Sequence, residues 1–281
     1  MTGAVGDQED QHAAALERRY LIRLGEDMLR PRPLSIRLII EFLGTFLLVS
    51  VVVGAGVINH YAGGHPVTNA AAAIAAGALV MALIYAWGPL SGVHINPAVT
   101  IAFYGRGVFP LRWVGPYWLA HFAGGIGGAL FLQAMFSHVT AGGTYPISTP
   151  GGSWRAFIME IVLTAILVSV VLNTATGHRS IGHNAAIAVG STIAFLVLFA
   201  GPISGSSMNP VRTLAPDIVG SISLAGGPTQ FCGSHPCILR LCVMGFVHLL
   251  NTRNLCQMKM PIHIVGSLTF RIRLSDFFWL L

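Results

Sequence analysis

Long apolar runs alternate with short polar breaks along most of this chain, and the runs are free of charge. Between Phe42 and Gly105 there is no Asp, Glu, Lys or Arg, and between Trp113 and Trp154 there is none either. A helix needs about 20 apolar residues to cross a bilayer, so these stretches hold several spans. The pattern predicts spans over residues 38–58, 70–87, 110–136, 157–173 and 185–200. Two breaker-rich loops, 88–93 and 201–207, each precede a segment of about two or three helical turns, 96–104 and 209–218. Residues 137–153, with "GGTYPISTPGG", read as a loop. Gly124 and Gly128 form a small-xxx-small pair suited to close helix contact.

The two breaker loops nearly repeat each other. "GPLSGVHINPAVT" begins at Gly88 and "GPISGSSMNPVRT" at Gly201, a shift of 113 positions. The same shift lays "AAIAAG" at Ala72 on "AAIAVG" at Ala185. The span openings "EFLGTFLLV" at Glu41 and "EIVLTAILV" at Glu160 share E-xxx-T-xx-LV. The chain therefore reads as an all-α membrane protein built by duplication, each unit three spans plus a short re-entrant half-helix. The first unit covers 36–136 and the second 154–220 of a membrane domain over 36–220. An odd number of spans per unit inverts the second copy, and inverted repeats place a functional site near the midplane.

Composition agrees with a membrane protein: 54% of residues are apolar and 9% charged, against roughly 25% charged in soluble domains. The net charge of +6 does not point to nucleic acid, because the arginines sit on alternate loops. Arg30, Arg32 and Arg37 flank the first span, Arg106 and Arg112 follow the second, and Arg179 follows the fourth. The loops 59–67 and 137–153 carry no Lys or Arg, with Arg155 a mild exception at the outer start of the fourth span. That bias predicts a cytoplasmic N-terminus. Residues 1–35 read as a polar cytoplasmic tail without the apolar core of a cleaved signal.

Irregular backbone inside a membrane must line water or protein. The repeated breaks therefore predict a wet lumen with loop carbonyls facing it. Asn96 and Asn209 suit helix N-caps, and Pro97 and Pro210 suit first helical turns. Inverted half-helices would meet N-terminus to N-terminus, aiming two positive dipole ends at the midplane. Such a field repels cations, and the two Asn amides could donate to a passing neutral oxygen. Arg212 lies one turn beyond Asn209 and should face the same lumen; an intramembrane charge is a functional candidate by default. Glu41 and Glu160 are the only acids between Arg37 and Pro216. They read as anchors accepting from the loop N–H groups, ahead of a proton-coupling role. His94 reads as a loop anchor or pore-lining acceptor. No metal-ligand spacing, nucleophile–base set or phosphate loop stands in the spans, so an enzyme or a cofactor is not expected.

The pattern fails after Gly220. Residues 221–281 hold all four cysteines, the single lysine and an apolar run, 238–250, too short for a span. The cysteine spacings fit no zinc or redox motif. The expected sixth span is atypical or missing, as an altered reading frame or a recent sequence change would produce.

"SGVHINPAVT", "SGSSMNPVRT", the paired E-xxx-T openings and the 113-residue repeat resemble the aquaporin, or major intrinsic protein, superfamily over roughly residues 37–220. "FAGPISGSSMNPVRTLAP" is similar to the nodulin-26-like subgroup, including Val211 where most members have Ala. The resemblance implies a right-handed helical bundle, a homotetramer in membrane lipid, and pore motifs at Asn96, Pro97, Ala98, Asn209, Pro210 and Val211. It also implies an outer filter of Ala76, Val197, Ser206 and Arg212. Small residues in place of aromatic ones imply a wide opening. That suits glycerol, boric acid or other hydroxylated metalloids, with water, in a multi-pass and expectedly plasma-membrane channel. Thr213, where glycerol facilitators are expected to carry Asp, fits that subgroup less well. The alternatives are a proton-coupled secondary transporter with inverted repeats, or a non-conducting, truncated or frameshifted homologue.

Overall fold

The computed structural model describes residues 32–175, 184–223, 259–263 and 269–273. Most of the expected N-terminal tail, Arg30, Arg179, the four cysteines and the region of the expected sixth span lie outside the described residues. Five helices are long and apolar enough to cross a membrane: α1 (Leu34–Tyr61), α2 (Asn69–Ser91), α4 (Leu111–Phe136), α5 (Gly152–Ala175) and α6 (Ala185–Ser204). Two shorter helices, α3 (Pro97–Gly105) and α7 (Pro210–Ser223), follow α2 and α6. At about 1.5 Å per residue, the 9 residues of α3 and 14 of α7 fall short of a ~30 Å hydrocarbon core. The protein is thus an integral, multi-pass, helical bundle of two matching series, α1–α2–α3–α4 and α5–α6–α7. A two-stranded antiparallel hairpin, Lys259–His263 with Thr269–Arg273, lies in the tail.

Glycines set the helix contacts. A Cβ on Gly124 would lie 2.2 Å from the Phe42 carbonyl oxygen, and one on Gly128 2.7 Å from that of Phe46. The two contacts advance together along α1 and α4, so these helices run parallel and pack backbone to backbone. Gly77 on α2 and Gly190 on α6, 113 positions apart, do the same to each other. A Cβ on either would meet the other's carbonyl oxygen, at 2.3 and 2.6 Å. The axis relating the repeats passes close to this crossing. Small residues at such crossings replace the hydrophobic drive that lipid cannot supply.

The helix breaks come later than the sequence pattern predicts. Loops were expected from Gly88 and Gly201, yet α2 and α6 continue through Pro89 and Pro202 to Ser91 and Ser204. In a last turn a proline removes only one intrahelical bond. The chain stops instead at Gly92 (φ 94°) and Gly205 (φ 79°), left-handed caps whose N–H groups return to Gly88 and Gly201. The half-helix α7 runs to Ser223, past the expected end at Ile218. Its extra turn packs on a short 3-10 turn, Val139–Gly142, inside the 137–153 loop. The helix α5 starts at Gly152, five residues before the expected Phe157.

Candidate functional site: a central cavity between two helix N-termini

Between the caps and the half-helices the backbone is held in a conformation that side-chain-bearing residues avoid. Val93, Ile95, Ser206 and Met208 have φ of 46°, 42°, 45° and 50°; the pairs are again 113 apart. Each such residue costs of order 1–3 kcal/mol unless its surroundings fix it. Buried carboxylates fix it here. Glu41 accepts from the His94 N–H (3.0 Å) and the Ile95 N–H (2.7 Å). Glu160 accepts from Ser207 N–H (2.9 Å) and Met208 N–H (2.8 Å). Ser91 Oγ and Ser204 Oγ accept from the N–H of Val93 and Ser206. The remaining partners differ between the copies. His121 Nε2 meets Glu41 at 2.8 Å, whereas the Ser204 hydroxyl donates to Glu160 at 2.6 Å.

The two asparagines lock the loops to each other. Asn96 Nδ2 donates to the Met208 carbonyl (2.7 Å), and Asn209 Nδ2 to the Ile95 carbonyl (2.9 Å). Their Oδ1 atoms cap their own helices, accepting from Ala98 N–H and Val211 N–H. Hence α3 and α7 meet N-terminus to N-terminus. Each amide keeps a second N–H. The carbonyls just before the asparagines, expected to face the lumen free, are instead engaged by the opposite asparagine.

A cavity of about 120 Å³ runs past this junction, and Ala76, Val197, Ser206, Arg212, Asn96 and Asn209 all line it. Its wall is otherwise mostly apolar, from Val80 and Leu48 to Val189 and Val171. Ala76 is buried, and the Ser206 hydroxyl donates to the Leu196 carbonyl (3.2 Å). Arg212 is 8% exposed, and its Nε and Nη1 have no hydrogen-bond partner. A buried guanidinium with unused donors beside a cavity can hydrogen-bond an oxygen that enters it, and repels cations.

Four of the motif residues do not line the cavity. Pro97, Ala98, Pro210 and Val211 start the half-helices behind it. Val211 packs so close to Gly125 that a Cβ there would lie 2.3 Å from Val211 Cγ1. Glu41 and Glu160 are likewise buried behind the loops. His94 lines the cavity but is mostly enclosed: Nδ1 bonds Thr100 Oγ1 (3.0 Å) and the ring stacks on Phe103. In the second copy Ser207 and Thr213, 113 positions on, take the places of His94 and Thr100 and share a hydrogen bond.

The sequence pattern did not single out Ser91 and Ser204, Thr100 and the bond of Thr213 to Ser207, His121, or Tyr117, whose hydroxyl donates to the Ser91 carbonyl at 2.8 Å. The Ser and Thr pairs were visible as matching letters of the two motifs. The one signal for His121 is an ionisable residue inside an apolar span.

Two inverted membrane repeats that bring two half-helices together beside a lumen define a channel-type fold. The family model described as "Major intrinsic protein" matches residues 30–223, and the chain belongs to that family. Among curated relatives, aquaporin NIP1-4 of Oryza sativa subsp. japonica is 43% identical over 185 residues, 66% of each chain. Aquaporin NIP2-2 of Zea mays is 39% identical over 68% of this chain and 64% of its own. Aquaporin NIP1-1 of Arabidopsis thaliana is 39% identical over 69% of this chain and 72% of its own. The chain thus spans slightly less than two thirds of the first two relatives' length. These likenesses fall in the nodulin-26-like subgroup. The aquaglyceroporin from Plasmodium falciparum has a similar fold, with a TM-score of 0.60, 21% identity and coverage of 79% of this chain and 97% of its own.

Proposed function

We propose that the protein is a passive channel for small uncharged solutes: glycerol, boric acid or other hydroxylated metalloids, and water. The observation that carries this reading is one cavity lined by Ala76, Val197, Ser206 and Arg212 together with both junction asparagines. Ala76, Val197 and Ser206 are small and set a wide opening; Arg212 supplies the donors and the positive charge. Solute oxygens would exchange hydrogen bonds from Arg212 to Asn209 and Asn96, while apolar walls strip their hydration. The positive ends of α3 and α7, with Arg212, would exclude cations and break proton wires.

The channel domain is assigned to residues 36–220, with repeats 36–136 and 154–220. The charge bias of the loops supports a cytoplasmic N-terminus, and a homotetramer in the plasma membrane is what the resemblance to the aquaporin superfamily implies. A proton-coupled transporter would need a carboxylate on the pathway. Glu41 and Glu160 are occupied by loop N–H groups, which supports the channel instead. Stopped-flow swelling of proteoliposomes tests the reading. Uptake independent of a pH gradient and lost in Arg212→Val is expected; uptake that follows the gradient would favour the transporter.

A further inference from the structure

Away from the cavity, a cluster of arginines has no acidic partner among the described residues. The Arg37 guanidinium carbon lies 4.9 Å from the Trp113 ring centre, and that of Arg112 lies 5.8 Å from it. Arg37 Nε donates to the Arg32 backbone carbonyl at 3.1 Å, which ties the chain before α1 to the group. Arg32 Nε is itself buried without a hydrogen-bond partner. Arg106 stands exposed on the loop leading to α4. Among the described residues between 32 and 175 the only acids are Glu41 and Glu160, and no carboxylate pairs with these arginines. Two guanidinium groups held against one indole repel each other. A cation–π contact recovers only about 0.5–1 kcal/mol at an exposed site. Among the described residues the arrangement lacks an anion.

The backbone adds to the deficit. The parallel helices α1 and α4 both begin on this side of the bundle. Their N-caps, Pro33 and Pro110, have no side-chain cap bond, and neither first turn holds an acid. Both helix ends therefore present orphan N–H groups and positive dipole ends on this side of the bundle. Beside them, Ile36, Ile39 and Leu43 are exposed along one face of α1, and Leu111 at the start of α4. A cationic head region continuous with an apolar stripe has the shape of an amphiphile's complement. A free anion would use the first part and leave the second bare.

We propose that Arg37 and Arg112, with the two helix ends, bind the headgroup phosphate of an anionic phospholipid, its acyl chain lying along Ile36, Ile39 and Leu43. Trp113 holds the two guanidinium groups at headgroup depth, where indoles concentrate.

The test is native mass spectrometry of the full-length protein in detergent, titrated with phosphatidylglycerol or phosphatidylcholine of the same acyl chains. The wild type should retain the anionic lipid preferentially. Arg112→Gln, at an exposed position that folding tolerates, should weaken that lipid about five-fold. Arg37→Gln/Arg112→Gln should multiply the loss, at roughly that factor per arginine. Arg155→Gln, at the start of α5 in the inverted repeat, should change nothing. Excess inorganic phosphate should not displace the lipid. Equal retention of both lipids by the wild type, or a loss in Arg155→Gln matching that in Arg112→Gln, would overturn the proposal. Displacement by phosphate alone would make the site a free-anion site instead. A lipid preference present only in Glu26→Gln/Asp27→Asn would assign the arginines to the N-terminal segment, again against the proposal.

Discussion

Each junction asparagine makes three uses of one amide. Its oxygen caps its own half-helix, one N–H ties the opposite loop, and the other N–H is left for the lumen. Asn209→Asp keeps the cap but replaces both donors by an acceptor and sets a carboxylate against the Ile95 carbonyl. Leaving that buried carbonyl unmet costs about 1–3 kcal/mol, so the variant should unfold at lower temperature and carry less solute. Differential scanning fluorimetry and swelling rates check the two parts. Ala76 acts by size alone. Ala76→Trp should suppress glycerol and boric acid flux more than water flux; equal loss of all three would reject a filter whose width Ala76 sets.

At the scale of elements, the strained loops depend on two carboxylates anchored one helix away. Glu160→Gln keeps the shape and removes the charge, and its amide can accept at only one of its two ends. Hydrogen bonds to charged groups contribute about 1.5–3 kcal/mol each. The variant should therefore lose several kcal/mol, read as a lowered melting temperature and poor membrane yield. The crossing of α2 and α6 makes a sharper contrast. Gly77→Val drives a side chain into the Gly190 carbonyl and should abolish the folded bundle. Gly54→Ala on α1, where a Cβ meets only Leu132 Cδ2 at 3.5 Å, should be neutral or stabilising by up to about 1 kcal/mol. Comparing their thermal unfolding separates close packing from helix propensity.

Elements were legible where the chain says the same thing twice. Spans, half-helices and their N-caps followed from apolar runs and from Asn-Pro at a fixed shift. The helix stops were not, because Gly-Pro looks like a breaker while the left-handed Gly92 and Gly205 do the breaking. His121 escaped because the repeat gives it no counterpart among the described residues. The bonds from Asn96 to Met208 and from Asn209 to Ile95 join positions 112 and 114 apart. No local pattern reports such a pairing; only the inversion of the repeats makes it necessary.

On the scale of the whole molecule, inversion explains why the motif is doubled and the arginine is not. Opposed half-helices meet head to head, so only one of them reaches each mouth of the lumen. Arg212 stands on α7, one turn from the junction, and the corresponding turn of α3 carries the apolar Val99. This asymmetric lumen should conduct small neutral solutes passively. Stopped-flow light scattering of proteoliposomes holding the full-length protein tests it most directly, with water, glycerol and boric acid compared in the wild type and Arg212→Val. Glycerol or boric acid permeability should lie well above that of empty liposomes, be unchanged by a pH gradient and be lost in the variant. Permeability equal to empty liposomes for all three solutes would contradict passive conduction.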